Sequence, residues 1–386
     1  MEIVKKELED TLLSLGIPLA DYGLVDKKGI IFKSSFRNPN IFNPSNHQNN
    51  IFRMASMTKI VTAFLTLSVL KEKKINLNNP VAAYLPELKN AKIANVKGSS
   101  IKFTETKVPI TFHQLLNCTS GHGYEHHHKT ISSLVTEKKL SPMKNGDDQF
   151  LKAPLISTPG ETWNYGISYG WLGKAIERIT MMSLNENLKK YITHPLNLKK
   201  TTFDYKEVES NKLAPVFFRD TSKNYLDITE KVNLGKGSFS YGGGGLFSDL
   251  EDYLKFLALF LKNNQEKSAL KPTTQIIDKI FSNQIGDLSI SSLKSYNKTL
   301  ALDYDLYSHI RKKWGYGLLI NIDSLEGRRS QGSGSWAGVL NTFFWIDKKK
   351  GVAGVILMQA LPCYDLSALK AFEVFEKLSY KLVIRS

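Results

Sequence analysis

Ser56 and Lys59 stand three residues apart in the stretch FRMASMTKIVTAFLTLSVL (52–70), just where its apolar half begins. On a helix, residues at this spacing share one face with Cβ atoms about 5–6 Å apart, so the lysine amine can reach the serine hydroxyl. A lysine partly removed from water favours its neutral form and can accept the serine proton. The serine could then form an acyl-enzyme, with its own backbone N–H as an oxyanion donor.

The same two residues would also fit a helix-capping serine followed by a solvated lysine, because serine and lysine are both frequent in this chain. However, the eleven residues after Lys59 are almost wholly apolar, and such a run predicts a buried helix. We expect this helix over about 56–73, with its first turn at the surface of a core. That placement favours nucleophilic chemistry over simple capping.

Further segments with polar, aromatic and turn-forming residues follow the first motif in the chain. They are NLNNPVAAYLPEL (76–88), ITFHQLLNCTSGHGY (110–124), STPGETWNYGISYGWLGKAIERIT (157–180), YGGGGLFSDLEDYLKFLALFL (241–261) and GSWAGVLNTFFWIDKKKGVAGVILMQ (334–359). In their order and spacing, these segments and FRMASMTK resemble the serine hydrolases related to class C β-lactamases and penicillin-binding proteins. The resemblance covers roughly residues 10–385, with gaps.

This resemblance implies a β-lactamase/transpeptidase-like fold of the α/β (α+β) class. An antiparallel sheet formed by both termini is flanked by helices, and a mainly helical subdomain is inserted between them. We expect residues 1–75 and 306–386 to form the α/β half and residues 76–305 to form the helical half.

By the same resemblance, Tyr165 takes the position of the family's catalytic tyrosine, which faces the serine and the lysine. A phenol beside an ammonium has its anion favoured, so Tyr165 could be the base for acylation or the acid for the leaving group. Because the chain has 16 tyrosines, a core tyrosine is the alternative for any one of them. The flanking sequences PGETWN and WLGKAIERIT favour the catalytic role.

The third family motif matches Trp336, Ala337 and Gly338, on a strand that the resemblance places at the edge of the sheet. A tryptophan can wall an apolar acyl or alcohol pocket, and a glycine lets the strand approach the substrate closely. The resemblance also places a second oxyanion donor at the backbone N–H of Val339, opposite that of Ser56.

Two departures from the β-lactamase pattern bear on the substrate. Ile167 stands where β-lactamases have an asparagine, so the amide that would hold an acylamino side chain is absent from this pocket position. Trp336 stands where they have the lysine that binds the substrate carboxylate. The Trp-x-Gly form resembles the family VIII carboxylesterases and related acyltransferases.

These residues imply a serine hydrolase that acts through an acyl-enzyme on esters of small or medium acyl groups, as a carboxylesterase or an acyltransferase. Alternatives on the same fold are a D-aminopeptidase, a DD-carboxypeptidase, an amide-oligomer hydrolase or a weak β-lactamase. A non-catalytic scaffold is a further alternative, against which the presence of all three proton-handling residues argues. No cofactor is implied, and the natural acyl group, the acceptor and the oligomeric state stay open.

Two other clusters invite a chemical interpretation. Residues 121–129, GHGYEHHHK, hold four histidines, which can bind zinc, but adjacent histidines seldom converge on one ion. We expect a polar loop at the cleft rim, with Tyr124 lining the pocket and no metal. The glycines at 242–245 lack the Gly-Lys-Ser/Thr ending of a phosphate loop, so they predict a tight turn beneath the site.

The formal net charge of +16 raises the question of a nucleic-acid or membrane partner. The lysines are scattered and are not interleaved with aromatic residues, so we expect neither partner and a small-molecule ester or amide as substrate. No apolar run reaches about 18 residues, and the N-terminus lacks the apolar core of a signal peptide, which predicts a cytoplasmic protein. Cys118 and Cys363 make neither a disulfide framework nor a metal pattern.

The patterns of apolar and turn residues also predict the elements that position these groups. We expect helices over 2–15, 168–180, 248–263 and 365–383, a hairpin over 20–36, and antiparallel strands near 314–320, 338–347 and 351–359. The third of these helices should begin with Ser248 as its cap and Glu251 completing a capping box. Three polar segments should shape the pocket, namely 122–150, 205–235 and 264–305.

Overall fold

The computed structural model describes residues 2–41, 51–97, 100–208, 212–262, 273–290, 292–305 and 307–385. The helices in these ranges are α1 (Glu2–Ser14), α2 (Thr58–Glu72), α3 (Phe112–Leu116), α4 (Lys129–Thr136), α5 (Ser168–Thr180), α6 (Leu184–Leu188), α7 (His194–Leu196), α8 (Leu250–Ala258), α9 (Thr273–Ile280) and α10 (Leu366–Arg385). None of the helices in this part of the chain is long and apolar enough to cross a membrane.

The strands in the same ranges are short, and half of them belong to one sheet. They are β1 (Leu19–Asp26), β2 (Ile30–Arg37), β3 (Phe52–Arg53), β4 (Lys92–Lys97), β5 (Ser100–Glu105), β6 (Phe217–Arg219), β7 (Tyr225–Asp227), β8 (Phe247–Ser248), β9 (Lys312–Trp314), β10 (Leu319–Asn321), β11 (Gly334–Gly338), β12 (Thr342–Asp347), β13 (Val352–Leu357) and β14 (Ala360–Leu361).

The main sheet has seven antiparallel strands in the order β2-β1-β13-β12-β11-β10-β9. The N-terminal strand β1 pairs with the C-terminal strand β13, with Asp21 opposite Leu357. The predicted fold class is therefore confirmed, because strands from both ends of the chain form one antiparallel sheet. The predicted hairpin over 20–36 corresponds to β1 and β2, which pair with each other.

Helices cover both faces of this sheet, so β12 and β13 are buried along their whole length. Successive side chains of a strand point to opposite faces. Phe343 and Trp345 accordingly pack in one apolar cluster with α1 and α10, whereas Phe344 and Ile346 pack in another with α2 and α8. Two covered faces explain why these strands are continuous apolar runs in the sequence.

Helix α2 connects the sheet to the helical half, since it packs against α5 and is almost wholly buried. It begins at Thr58, directly after a 3-10 turn at Ala55–Met57, so the predicted helix over 56–73 is present with its first residues in a tighter turn. The predicted helix over 168–180 coincides with α5.

The prediction of a Ser248 cap was wrong. Helix α8 begins one residue later, with Asp249 as its cap, and the Asp249 side chain accepts a hydrogen bond from the N–H of Asp252 at 2.8 Å. Ser248 instead belongs to β8, which pairs with β3, and its hydroxyl contacts that of Thr201. A long-range strand pairing therefore decides where this helix starts.

The C-terminal strands are also interrupted where single strands were predicted. The segment 314–320 divides into the ends of β9 and β10, because a turn at Gly317 (φ +82°) brings the chain against the backbone carbonyl of Lys59. The segment 338–347 divides between β11 and β12 at Asn341, whose φ is +55°.

Strand β11, which carries the third motif, is not the outermost strand of the sheet, since β10 and β9 lie beyond it. However, β10 pairs only with Gly334 and Ser335, so the ladder on that side ends before residue 336. The division into residues 1–75 with 306–386 and residues 76–305 stays a prediction. Helix α8, inside the second range, packs on β1 and β13.

Candidate active site

Ser56 and Lys59 come together at the entry to α2. The 3-10 turn Ala55–Met57 places Ser56 Oγ 3.0 Å from Lys59 Nζ. Ala55 has a φ of +48°, a left-handed conformation that costs a non-glycine residue energy and is typical of functional turns. Ser56 is partly exposed, whereas Lys59 is completely buried. A solvated lysine, the alternative left open by the sequence, does not fit this geometry.

The surroundings of Lys59 favour its neutral form. Its amine contacts the Tyr124 hydroxyl at 3.0 Å and the Gly243 carbonyl at 2.7 Å, and it lies 4.8 Å from the centre of the Tyr165 ring. Burial lowers the pKa of Lys59 from 10.5 to about 7. An amine with this pKa can accept a proton from Ser56 at neutral pH.

The glycines at 242–245 form the predicted tight turn beneath this pair. The N–H groups of Gly244 and Gly245 both donate to the Tyr241 carbonyl, at 3.0 and 2.7 Å. The carbonyl of Gly243 holds Lys59, and the carbonyl of Gly242 accepts from the Thr62 hydroxyl at 2.7 Å. Two peptide carbonyls of this turn thus bind α2 on the face that carries the lysine.

Tyr165 completes the group, since the Ser56 hydroxyl is among the groups that act on the pKa of its phenol. The indole N–H of Trp336 donates to the same phenol oxygen at 3.0 Å. Burial raises the pKa of Tyr165 well above 10, so the phenol keeps its proton. This direction is opposite to the expected favoured phenolate: a protonated phenol can donate a proton, whereas the neutral amine of Lys59 can accept one.

The three residues of the third motif lie in different surroundings. Trp336 is buried behind Tyr165, with its ring edge-on to those of Tyr165 and Trp314 at 5.0 and 4.6 Å. Ala337 points to the other face of the sheet, into the cluster of α1 and α10. A Cβ on Gly338 would lie 2.6 Å from the Met54 carbonyl, so this glycine lets β11 approach the turn that carries the nucleophile.

Val339, the residue after Gly338, lines the same cavity as Ser56. The turn that carries it is fixed by Asn341, whose side-chain amide donates to the carbonyls of Ala360 and Pro362, both at 2.9 Å. The side-chain oxygen Oδ1 of Asn341 accepts a hydrogen bond from the Tyr364 N–H at 2.8 Å. Sequence reasoning missed Asn341, because its partners lie about twenty residues away and no local pattern marks them.

The cavity has a volume of about 470 Å³ and its lining is largely apolar. Ser56, Tyr124 and Tyr241 are among its polar lining residues, which also include Glu125, His126, Lys144, Asp147, Lys231, Asn233, Asn297 and Thr299. The expectation that three polar segments shape the pocket is confirmed, since each of them supplies apolar lining residues: Met143 and Phe150 from the first, Val232 and Leu234 from the second, and Leu300 from the third.

The histidine loop lies at the rim, as expected. The His126 ring stacks on Tyr124 at 4.9 Å, and His127 Nδ1 lies 2.9 Å from the Lys294 carbonyl. Burial lowers the pKa of both histidines, which keeps the rings neutral. Within the described ranges, no group of three or more His, Cys, Asp or Glu side chains is placed to hold a metal ion. Ile167 is buried at the start of α5 and is not part of the cavity lining.

The hydrogen bond from Trp336 to Tyr165 can be tested separately from packing. Trp336→Phe keeps an aromatic ring but removes the N–H, so we expect kcat for a nitrophenyl ester to fall about 3- to 10-fold, the range for one lost hydrogen bond. KM should hardly change, because Trp336 does not line the cavity. Trp314→Phe is the matched control, since the Trp314 N–H has no hydrogen-bond partner among the described residues. A change in KM larger than that in kcat would contradict this assignment.

Comparison with known proteins agrees with this geometry. The chain is 26% identical over 339 residues to monacolin J acid methylbutanoyltransferase from Aspergillus terreus, which covers 85% of this chain and 81% of that protein. It is also 26% identical over 328 residues to lovastatin esterase from Penicillium rubens, and the aligned region covers 81% of this chain and 80% of that protein. These relatives are an acyltransferase and an esterase, the two activities that the sequence motifs implied.

Solved structures show the same fold. Unliganded simvastatin synthase (LovD) from Aspergillus terreus superposes with a TM-score of 0.81 at 24% identity, over 98% of each chain. EstCE1, a hydrolase with promiscuous acyltransferase activity, gives a TM-score of 0.74 at 16% identity, also over 98% of each chain. The family model described as beta-lactamase matches residues 16–373. The family predicted from the separated motifs is thus confirmed, and the chain belongs to the beta-lactamase family.

Proposed function

We propose that this protein is a serine hydrolase that transfers the acyl group of a small-molecule ester to Ser56, and from there to water or an alcohol acceptor. The observation that carries this proposal is the position of Ser56 between two groups of opposite function. On one side lies the Lys59 amine, whose pKa of about 7 suits a base. On the other lies the protonated phenol of Tyr165. The activities of the relatives, acyl transfer and ester hydrolysis, support it.

In acylation, neutral Lys59 takes the proton of Ser56 while Oγ attacks the ester carbonyl. The backbone N–H groups of Ser56 and Val339 would stabilise the oxyanion, because both residues line the cavity. Tyr165 gives its proton to the leaving alcohol as the C–O bond breaks. Transfer of the proton from Lys59 then restores the phenol, so each group returns to its starting state.

The substrate class follows from what the site offers. The cavity is largely apolar, which suits a small or medium acyl group without charge. Ile167 is buried and supplies no amide for an acylamino side chain. Trp336 donates to Tyr165 and supplies no cation for a substrate carboxylate. These features favour a simple ester over a peptidoglycan peptide or a β-lactam as substrate.

A pair of matched substrates tests this function. The purified protein should hydrolyse nitrophenyl butyrate with an initial burst of nitrophenol, and the nitroanilide of the same acid should react far more slowly. Addition of an apolar alcohol should divert part of the acyl group into a new ester, which mass spectrometry can quantify. If the anilide reacts as fast as the ester, the protein is an amidase. If neither substrate acylates the protein, the proposal fails.

A further inference from the structure

A chain of polar atoms leads from the nucleophile through the interior and back to the cavity. Lys59 Nζ lies 3.0 Å from Ser56 Oγ and 3.0 Å from the Tyr124 hydroxyl. The Tyr124 hydroxyl lies 2.5 Å from that of Tyr241. Tyr241 is 7% exposed and lines the same cavity as Ser56. The path therefore begins at the acylated residue and ends where an acceptor would bind.

A count of donors and acceptors shows what this path can do. A neutral amine has two N–H groups and one lone pair. The Gly243 carbonyl can only accept, so it takes one N–H of Lys59. The remaining N–H and the lone pair are shared between Ser56 and Tyr124. Either Ser56 donates to Lys59, as acylation requires, or Tyr124 donates to Lys59 and the amine points an N–H at Ser56, as release of the acyl group requires.

The two phenols can pass protons but cannot store charge. Burial raises the pKa of Tyr124 and that of Tyr241 well above 10, so neither forms a phenolate at neutral pH. Each phenol must therefore receive a proton as it gives one away. Their rings are held for this exchange, with His126 stacked on Tyr124 and Phe150 edge-on to Tyr241 at 5.3 Å. A Cβ on Gly243 would lie 2.4 Å from the Tyr241 hydroxyl, so the glycine turn leaves room for it.

We propose that Tyr241 and Tyr124 relay the proton of the acceptor to Lys59 during release of the acyl group, which leaves Tyr165 to serve the leaving alcohol in acylation. This inference rests on the proposed function. The acceptor O–H proton passes to Tyr241, the Tyr241 proton to Tyr124, and the Tyr124 proton to the lone pair of Lys59. One N–H proton of Lys59 passes to Ser56 Oγ as the acyl–Ser56 bond breaks and the bond to the acceptor oxygen forms. All groups end neutral, and Ser56 is regenerated.

Tyr241→Phe is the test, because it removes the outer end of the path and leaves the contact between Tyr124 and Lys59. With nitrophenyl butyrate, the burst rate, which reports acylation, should stay within about 2-fold of the unchanged protein. The steady-state rate should fall about 10²-fold, the lower range for loss of a proton-transfer group, and acyl-Ser56 should accumulate in the mass spectrum. Tyr316→Phe is the matched control, since that phenol contacts His113 at 2.7 Å and not this path.

A measurement on the unchanged protein makes the test independent of the variant's folding. The release rate is measured in mixtures of H₂O and D₂O. Its plot against the deuterium fraction should be curved, because several protons move together. A straight line would overturn the relay. In the variant, an equal loss in burst and release would assign Tyr241 a packing role, and an unchanged release rate would exclude it from proton transfer. If the unchanged protein forms no acyl-enzyme at all, the proposed function itself fails.

Discussion

Replacing Ser56 by alanine should lower kcat/KM for nitrophenyl butyrate by about 10⁴-fold or more, because alanine has no hydroxyl to take up the acyl group. The partners of Ser56 stay in place, since Tyr165 is held by Trp336 and Lys59 by Gly243. A fluorophosphonate should label the unchanged protein once, at Ser56, and should not label the variant. Steady-state kinetics and mass spectrometry of the labelled peptide measure both outcomes.

Ser68→Ala is a suitable control for this variant. Ser68 lies on the same helix, and its hydroxyl donates to the Phe64 carbonyl at 2.8 Å, away from the cavity. Its removal should leave the rate and the labelling unchanged. Equal turnover by Ser56→Ala, or a label on another residue, would end the proposal that the protein acts through an acyl-enzyme at this site.

Replacing Lys59 by methionine should lower kcat/KM by about 10²- to 10⁴-fold, the usual contribution of a general base. In the unchanged protein the base works only when it is unprotonated. Because burial sets the pKa of Lys59 at about 7, kcat/KM should fall as the pH drops below about 7 and level off above it. Tyr165 should add no fall on the alkaline side up to about pH 10, since its pKa is raised well above 10.

The pH profile of kcat/KM between pH 5 and 10 tests this assignment directly. Lys73→Met is the control, because Lys73 is exposed at the end of the same helix. A profile that falls on the alkaline side near pH 9 would show that a protonated Lys59 is needed, contrary to its role as the base. Activity close to the unchanged level in Lys59→Met would exclude the lysine from catalysis.

The stability of the fold should also rise with pH because of Lys59. Its pKa is lower in the folded chain than in the unfolded one, so the unfolded state binds more protons between pH 7 and about 10.5, and stability rises with pH in this range. Among the residues that the structure describes, no carboxylate pairs with this amine, so its burial lowers the stability of the fold. Urea titrations at pH 7 and pH 9 measure the free energy of unfolding at each pH. The gain in this free energy from pH 7 to pH 9 should be smaller for Lys59→Met than for the unchanged protein.

The sequence predicted the fold well where local patterns determine it. The terminal strands and helices are marked by apolar periodicity, and α2 by its long apolar run. The Ser248 cap was wrong because pairing between β8 and β3, which are distant in the chain, outweighed a local capping pattern. Gly317 and Asn341 divided predicted strands for a similar reason, since each meets backbone groups from another part of the chain.

Part of the site could likewise be predicted from local patterns, and part of it could not. The pairing of Ser56 with Lys59 follows from helical spacing, but Tyr165 could be named only through the family resemblance. Its charge state depends on burial, which no local pattern contains. Tyr241 stands directly before the glycine turn that the sequence did single out, yet its contact with Tyr124 joins residues over a hundred positions apart. Such contacts become visible only once the chain is folded.

The pairing of Asp21 with Leu357 has a consequence for how the protein is made. Contacts between distant segments form slowly, because the intervening chain must first be ordered. Ser56 is made before Val339 and before β13, the strand that pairs with β1. The arrangement proposed for catalysis would therefore be complete only after this later part of the chain has been made and has paired with the N-terminal strand.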